Sequence, residues 1–354
     1  MSLLTKTHVG PGTPGSGTFR RAPGFRAAAV AAALPLLLAA CGGTDDGATG
    51  GTAEDGTWAP TQAIEITAPA ATGGGWDTLA RTSARLLEEE GLVDHSPQVV
   101  NKPGAGGAIG WGYIANNPGD PHKLFVTSPP ILLVPMAGDS DYDHDNFTPI
   151  ARLATDYMVY LVAADSDIET FADLAEQVES GALSVGGGSG PGSMDHVALA
   201  GALRAAGADA TQANYIPFDG GGEALTSLLG GHVDAAVVGV GEALGMLESG
   251  DLRAVGVSSA ERVDVVAEVP TLVEQDIDFT FDIWRGVMGP TDLTEPQIAY
   301  HETLFADLME TEAWKEESAR LGWTDAYQDS EEFGAFLDDT RGEFAEILTE
   351  VGLQ

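Results

Sequence analysis

Cysteine and positive charge are what this chain has least of. One residue in 354 is Cys, Cys41, and 16 are Lys or Arg against 54 Asp or Glu. A single Cys excludes an internal disulfide. Residues 1–40 hold Lys6, Arg20, Arg21 and Arg26 and no acid, which leaves 12 basic against 54 acidic residues for the remainder. A surface that acidic speaks against nucleic-acid binding, which needs Lys and Arg to displace counterions, and against adsorption on anionic lipid. It suits a salty exterior, where screening shortens the reach of self-repulsion. Enzyme signatures are also missing. There is no G-x-x-x-x-G-K-[ST] phosphate loop, and Gly104 to Gly110 lacks the spacing of a dinucleotide loop. Ser193 lies outside any G-x-S-x-G elbow, so Ser193 and His196 read as ligand contacts or a helix cap rather than a nucleophile and its base. Neither catalysis nor a cofactor is expected.

The N-terminus has the pattern of an export signal. Arg20, Arg21 and Arg26 precede an apolar run at 27–40, too short for the roughly 20 residues of a permanent membrane span. The run ends in Leu38-Ala39-Ala40-Cys41-Gly42, which resembles a bacterial lipobox. Residues 1–40 are therefore expected to be a lipoprotein signal peptide, with Cys41 as the lipidated first residue. Residues 41–62 are rich in Gly, Thr and Asp and are expected to form a flexible tether. No second run of about 18 apolar residues follows, so the lipid is the expected membrane anchor, on the extracytoplasmic side.

From Ile64 short apolar runs alternate with helical periodicity. Strands are predicted at 63–68, 98–101, 123–128, 157–163, 182–185, 213–216, 233–238 and 252–257. Helices are predicted at 77–90, 171–179, 194–206, 223–229, 243–249, 296–310 and 330–351. Such alternation means α/β layers with largely parallel sheets. Thr170-Phe171-Ala172-Asp173 has the form of a capping box, and Gly91 and Gly207 stand where helices would end. Phe333, Leu337, Phe344, Ile347, Leu348 and Val351 recur at helical spacing and are expected to face the core.

Four glycine clusters each follow an apolar strand and precede a helix. They are Thr72-Gly73-Gly74-Gly75-Trp76-Asp77, Pro103-Gly104-Ala105-Gly106-Gly107, Gly186 to Ser193, and Phe218-Asp219-Gly220-Gly221-Gly222-Glu223. A strand-to-helix turn without side chains lets a ligand approach the backbone. The helix N-terminus behind it presents unpaired N–H groups and a partial positive charge. Loops of this kind hold an anion without Lys or Arg, as a chain so poor in both requires. In open α/β sheets they gather at the carboxyl ends of the strands.

The order of these motifs resembles the substrate-binding component of the tripartite tricarboxylate transporters, the TctC or Bug family. The resemblance runs from about Ile64 to the C-terminus. It passes through Gly73-Gly74-Gly75-Trp76-Asp77, Asn101-Lys102-Pro103-Gly104, Phe147-Thr148-Pro149-Ile150, Gly190-Pro191-Gly192-Ser193, Gly230-Gly231-His232-Val233-Asp234 and Trp284-Arg285-Gly286. Two features depart from the family: Asp219 stands where relatives often have a basic residue, and Pro118-Gly119-Asp120-Pro121 replaces the usual turn.

The resemblance implies an α/β, two-domain periplasmic-binding-protein fold of type II with a ligand cleft between domains. Domain 1 would hold 63–156 and 284–354, domain 2 would hold 157–283, and the crossings would lie near 157–162 and 279–284. It also implies a monomeric receptor that captures a di- or tricarboxylate and delivers it to integral membrane permease subunits; a ligand-sensing adaptor for a membrane sensor kinase is the alternative. The expected ligand contacts are Thr72, Gly73, Gly74, Asp77, Gly106, Gly107, Ser128, Gly190, Gly192, Ser193 and His196. Trp76 and Trp284 are candidates to wall the cleft. Arg285 either clamps a carboxylate or pairs with one of the many acids. Asp141-Tyr142-Asp143-His144-Asp145 begins like a calcium loop, but Asn146 and Arg152 stand where such a loop needs Gly and Glu, so a solvated acidic turn is expected and no metal.

Overall fold

The computed structural model describes residues 51, 52, 56–181 and 183–353. The leader and Cys41, which carry the export and lipidation readings, lie outside these residues. The end of the expected tether is not free. Strand β1 (Gly51–Thr52) pairs antiparallel with β2 (Trp58–Ala59), and Trp58 is buried, its ring edge-on to His122 and Tyr300. One large aromatic is enough to dock an otherwise polar segment, because it removes so much apolar surface from water.

The alternating pattern folds as α/β units. β3 (Glu65–Ala68), α1 (Gly75–Glu89), β4 (Gln98–Asn101), α2 (Ala108–Ala115), β5 (Lys123–Thr127) and α3 (Pro130–Met136) come first. The long strand β6 (Thr148–Ala163) leads to α4 (Phe171–Glu179), β7 (Ser184–Gly187), α5 (Met194–Ala205), β8 (Asn214–Pro217), α6 (Gly221–Leu229), β9 (Ala235–Gly239), α7 (Val240–Ser249) and β10 (Leu252–Val257). The chain then returns through β11 (Asp282–Gly289), α8 (Glu295–Glu310), α9 (Glu312–Leu321), β12 (Thr324–Gln328) and α10 (Ser330–Glu350). The Thr170 capping box forms as expected: Thr170 Oγ1 accepts from the Asp173 N–H at 3.1 Å, and Asp173 accepts from the Thr170 N–H at 2.8 Å.

Strand β6 belongs to two sheets. Its N-terminal part pairs with β11 and β12, beyond which lie β5, β3 and β4. Its C-terminal part pairs with β10 on one side and β9 on the other, followed by β7 and β8. Parallel pairing is confined to the outer strands, β4-β3-β5 and β9-β7-β8. Every ladder made by β6 or β11 is antiparallel, which corrects the expectation of largely parallel sheets. The two strands run in opposite directions because one carries the chain out of the first half and the other brings it back.

Three buried clusters fill the layers. One lies between the first sheet and α1, α8 and α9. A second lies between the second sheet and α6 and α7. The third runs through α3, α5 and α10 and joins both halves. Phe333, Leu337, Phe344 and Leu348 of α10 are buried in it as their spacing predicts, each such side chain contributing about 1.5–3 kcal/mol.

Candidate functional site

The glycine clusters meet at one place. A cavity of about 450 Å³ opens between the carboxyl ends of the two sets of parallel strands. Its lining includes Gly74, Gly107, Ser193 and Gly220, which are the N-cap residues of α1, α2, α5 and α6. None of these helices has a side-chain cap bond. Each therefore turns its first backbone donors toward the cavity; the Gly75 N–H of α1 is met by Glu242 and the Asp195 N–H of α5 by the Ser189 hydroxyl.

Glycine is needed here by geometry as well as by access. Gly106 and Gly107 have φ of 62° and 112°, and a Cβ on Gly107 would come within 2.7 Å of the Trp111 ring. Across the cavity the third and fourth clusters touch through backbone alone: a Cβ on Gly188 would lie 2.3 Å from the Gly221 nitrogen.

The expected contacts divide into two groups. Gly74, Gly106, Gly107, Ser128, Gly190, Ser193 and Arg285 line the cavity, and so does Trp76. Ser128 Oγ accepts from Trp76 Nε1 at 2.9 Å, which fixes the indole as a wall. Thr72, Gly73, Asp77, Gly192, His196 and Trp284 are not in the lining. Thr72 and Gly73 are exposed at the rim.

Asp77 is occupied in shaping the first loop. It accepts from the Gly73 N–H at 2.9 Å, from Arg81 Nε at 2.9 Å and from Asn101 Nδ2 at 2.8 Å. Burial pushes its pKa up, but bonds from Arg81, Asn101 and Gly73 prevail and hold it below the ordinary value. His196 does the same work in the third loop. Its Nδ1 accepts from the Gly192 N–H at 3.0 Å, and its ring stacks on Tyr215 with centroids 4.4 Å apart. Burial lowers its pKa, which keeps it neutral. Tyr215 in turn donates to the Ser189 carbonyl at 2.6 Å.

Trp284 packs edge-on to Phe333 and Phe336 in the core. It is next to Arg285 on β11, and strand alternation sends the two side chains to opposite faces. Arg285 reaches the cavity, and its guanidinium is held by the buried carboxylate of Asp156 on β6. Its Cζ lies 5.2 Å from the centroid of the Trp323 ring. Gly75 makes room for the guanidinium, since a Cβ there would sit 2.7 Å from Nη1.

Four lining acids, Asp139, Asp195, Asp219 and Glu242, were not among the expected contacts, and two of them, Glu242 and Asp195, have shifted pKa values. Glu242, in the first turn of α7, accepts from the Gly75 N–H of α1 at 3.1 Å and from the Gly239 N–H at 3.2 Å. One carboxylate thus joins the two halves across the cavity, seated on the N-terminus of α1. Burial is the main reason its pKa is pushed up to about 7; the charges of Asp195 and Asp156 add to this, and Arg285 opposes it. Asp195, in the first turn of α5, is pushed up to about 6 by burial, against hydrogen bonding at Ser189 and Gly188. Its Oδ2 and the Ser193 Oγ are buried without a hydrogen-bond partner.

Asp143, His144 and Asp145 bring ligand-type atoms within 4.8 Å of one another, but their bonds serve the docking of α10. His144 Nε2 lies 3.1 Å from Asp338, and Asp145 accepts from Arg341 at 3.0 Å.

Two α/β halves that share a central strand, with uncapped helix N-termini aimed into a cavity between them, make a solute-binding protein. The chain belongs to the tripartite tricarboxylate transporter family receptors, TctC, whose family pattern matches residues 86–353. This is a family of substrate-binding receptors rather than enzymes. A UPF0065 protein from the tcbD-tcbE intergenic region of Pseudomonas sp. strain P51 is 31% identical over 242 residues, covering 65% of this chain and 69% of that one. A crystal structure of a TctC solute binding protein from Polaromonas, without ligand, matches at 30% identity and a TM-score of 0.61, covering 82% of this chain and 99% of that one. MatC from Rhodopseudomonas palustris, with bound malate, has the same fold at 24% identity and a TM-score of 0.72, covering 82% of this chain and all of its own, 100%.

Proposed function

We propose that this protein is an extracytoplasmic lipoprotein that captures a small carboxylate between its two halves and hands it to permease subunits of a tripartite transporter. The observation that carries this reading is the convergence of four uncapped helix N-termini, of α1, α2, α5 and α6, on one cavity. A carboxylate is the simplest solute whose oxygens take up several such donors at once. The malate held by MatC is a ligand of this chemistry. The domains run 63–156 with 284–354 and 157–283, the crossings being β6 and the approach to β11. Closure follows because a solute that touches both halves binds the closed form better. The protein works as a monomer.

Titration of the purified full-length protein with a panel of organic acids tests the site. Gly74→Val and Gly190→Val are the useful variants. Neither glycine has a left-handed φ, and a Cβ meets nothing nearer than 3.7 Å at Gly74 and nothing within 4 Å at Gly190. Both variants should fold normally and bind about tenfold or more weakly, since the side chain covers a donor that the ligand needs. Full affinity in both would place the solute elsewhere.

Anchoring rests on the lipobox and on the absence, among the described residues, of any helix long and apolar enough to cross a membrane. Cys41→Ser should move the protein from the membrane fraction to the soluble extracytoplasmic fraction. A variant that stays with membranes would rule out the lipid as the anchor.

A further inference from the structure

The two ends of the cavity differ in chemistry. On the side of the first half the lining is backbone at Gly74, Gly75, Gly106 and Gly107, with Arg285 behind it and one acid, Asp139; the Gly75 N–H is already bonded to Glu242 and the Gly107 N–H to the Gly104 carbonyl. On the side of the second half glycine backbone at Gly188, Gly190, Gly220 and Gly221 is joined by three carboxyls, Asp195 on α5, Glu242 on α7 and Asp219 at the fourth glycine loop. Among the described residues of the lining Arg285 is the sole cation, and Asp156 already holds its guanidinium. Asp195 is 1% exposed, and its Oδ2 has no hydrogen-bond partner. The neighbouring Ser193 Oγ, also 1% exposed, has none either. A buried carboxylate oxygen is an acceptor that must be met by a donor or left at a cost. A plain dicarboxylate has no donor to offer, and its second carboxylate would lie against Asp195 and Glu242 as a like charge.

Resting on the reading that this cavity holds the solute, we propose that the solute carries an ammonium group as well as a carboxylate. Asp195 and Glu242 receive the ammonium, and the backbone donors of the glycine loops that no protein group already meets receive the carboxylate. The substrate class is then an amino acid or a similar zwitterion, and the two acids are its specificity determinants. Asp219, the departure from a basic residue at that position, adds to the same field. The Ser193 hydroxyl, also in the lining and without a partner, offers the same ammonium group a further acceptor.

Matched pairs that differ by one amino group test this: succinate and aspartate, glutarate and glutamate, butyrate and 4-aminobutyrate. Each is titrated calorimetrically into the full-length protein at pH 8. The amine-bearing member of any pair that binds should do so about tenfold or more tightly, the size expected of hydrogen bonds between charged groups. Asp195→Asn and Glu242→Gln should each shrink that preference to about threefold or less, with far-ultraviolet circular dichroism unchanged. Equal or tighter binding of the plain acid would overturn the ammonium assignment and leave the carboxylate receptor intact. A preference that survives both substitutions would remove these two acids as its source and overturn the assignment as well. No binding by any member at millimolar concentration would overturn both the carboxylate reading and this one.

Discussion

Replacing Arg285 by alanine is expected to lower stability by about 3–5 kcal/mol, the usual cost of leaving one member of a buried ion pair without its partner. Asp156 is fully buried and Arg285 nearly so, at 0% and 3% exposure, so water cannot take over the neutralisation. Three further effects act in the same direction. The guanidinium is lost from above the Trp323 ring. A space opens beside Gly75, which is glycine to admit that guanidinium. Glu242, already raised by burial and then by Asp195 and Asp156, loses the one nearby charge that lowers it. The measurement is the urea midpoint of the full-length protein. The double variant Asp156→Asn with Arg285→Met should recover most of the loss, because removing both charges leaves nothing unpaired. A single variant with an unchanged midpoint, or a double variant no better than the single one, would show that the pair is not what ties β6 to β11.

The second large effect depends on pH. Asp195 is held at about 6 in the folded protein against an ordinary value of 3.8, and Glu242 at about 7 against 4.5. Both are acids whose folded values are raised, so the folded protein holds these protons more tightly than the unfolded chain. Their stabilising contribution is whole below pH of about 4 and is lost as pH rises to about 6 for Asp195 and about 7 for Glu242. Each shift corresponds to about 3 kcal/mol. Burial is the largest cause of both; at Glu242 the charges of Asp195 and Asp156 add to it, and Arg285 on β11 and the Gly239 amide oppose it. Around Asp195 stand Ser189, the buried Tyr160 and the partly buried Tyr215, whose own values are raised by burial first and then by its charge. The stability of ligand-free Asp195→Asn relative to the parent should therefore improve between pH 4 and pH 7 by about 3 kcal/mol, then level off. Unfolding the two proteins in parallel across that range isolates the site from the many exposed acids, which cancel in the difference. A flat difference would mean that water reaches Asp195 freely.

Much of this site can be read before folding, for a physical reason. Glycine clusters between a strand and a helix announce backbone donors locally, and no distant residue is needed to complete them. Gly74, Gly106, Gly107, Gly190 and Ser193 were legible on that account. The two acids were not. Glu242 sits in Gly239-Val240-Gly241-Glu242-Ala243 as one carboxylate among 54 acidic residues, and only the packing of α7 carries it to Gly75. Asp195 had a fainter signal, an acid in the first turn of a helix that follows a glycine loop. Trp284 and Arg285 show the limit of strand reasoning. Both are near the crossing, and alternation says only that they face opposite ways; which faces the cavity is decided by where α10 packs.

Of the elements not predicted, α9 and β11 have no opposing composition, but several others do. Helix α2 contains Gly110 and Gly112, and α3 contains Pro130 and Pro135. Packing overrides such propensities: Trp111 and Ile114 of α2 and Ile131 to Val134 of α3 are all buried. Strand β12 is largely polar and is defined by pairing with β6 rather than by its own pattern. The first part of β6 begins with Thr148-Pro149 and carries Arg152, which hid a strand of 16 residues.

That long strand constrains the order in which the molecule can be assembled. Residues 148–157 of β6 need β11 at 282–289 and β12 at 324–328 as neighbours, whereas its residues 158–163 find β9 and β10 within the next hundred residues. The second half can therefore complete its sheet while the chain is still short, and the first half cannot. Loop closure over that separation is an entropic toll on the first half alone. A chain emerging N-terminus first would display β3, β4 and β5 as an unfinished sheet, with the edge of β5 bare until β11 arrives. The dense acidic surface then has a use apart from any solute, because like charges keep such half-built intermediates from pairing with one another.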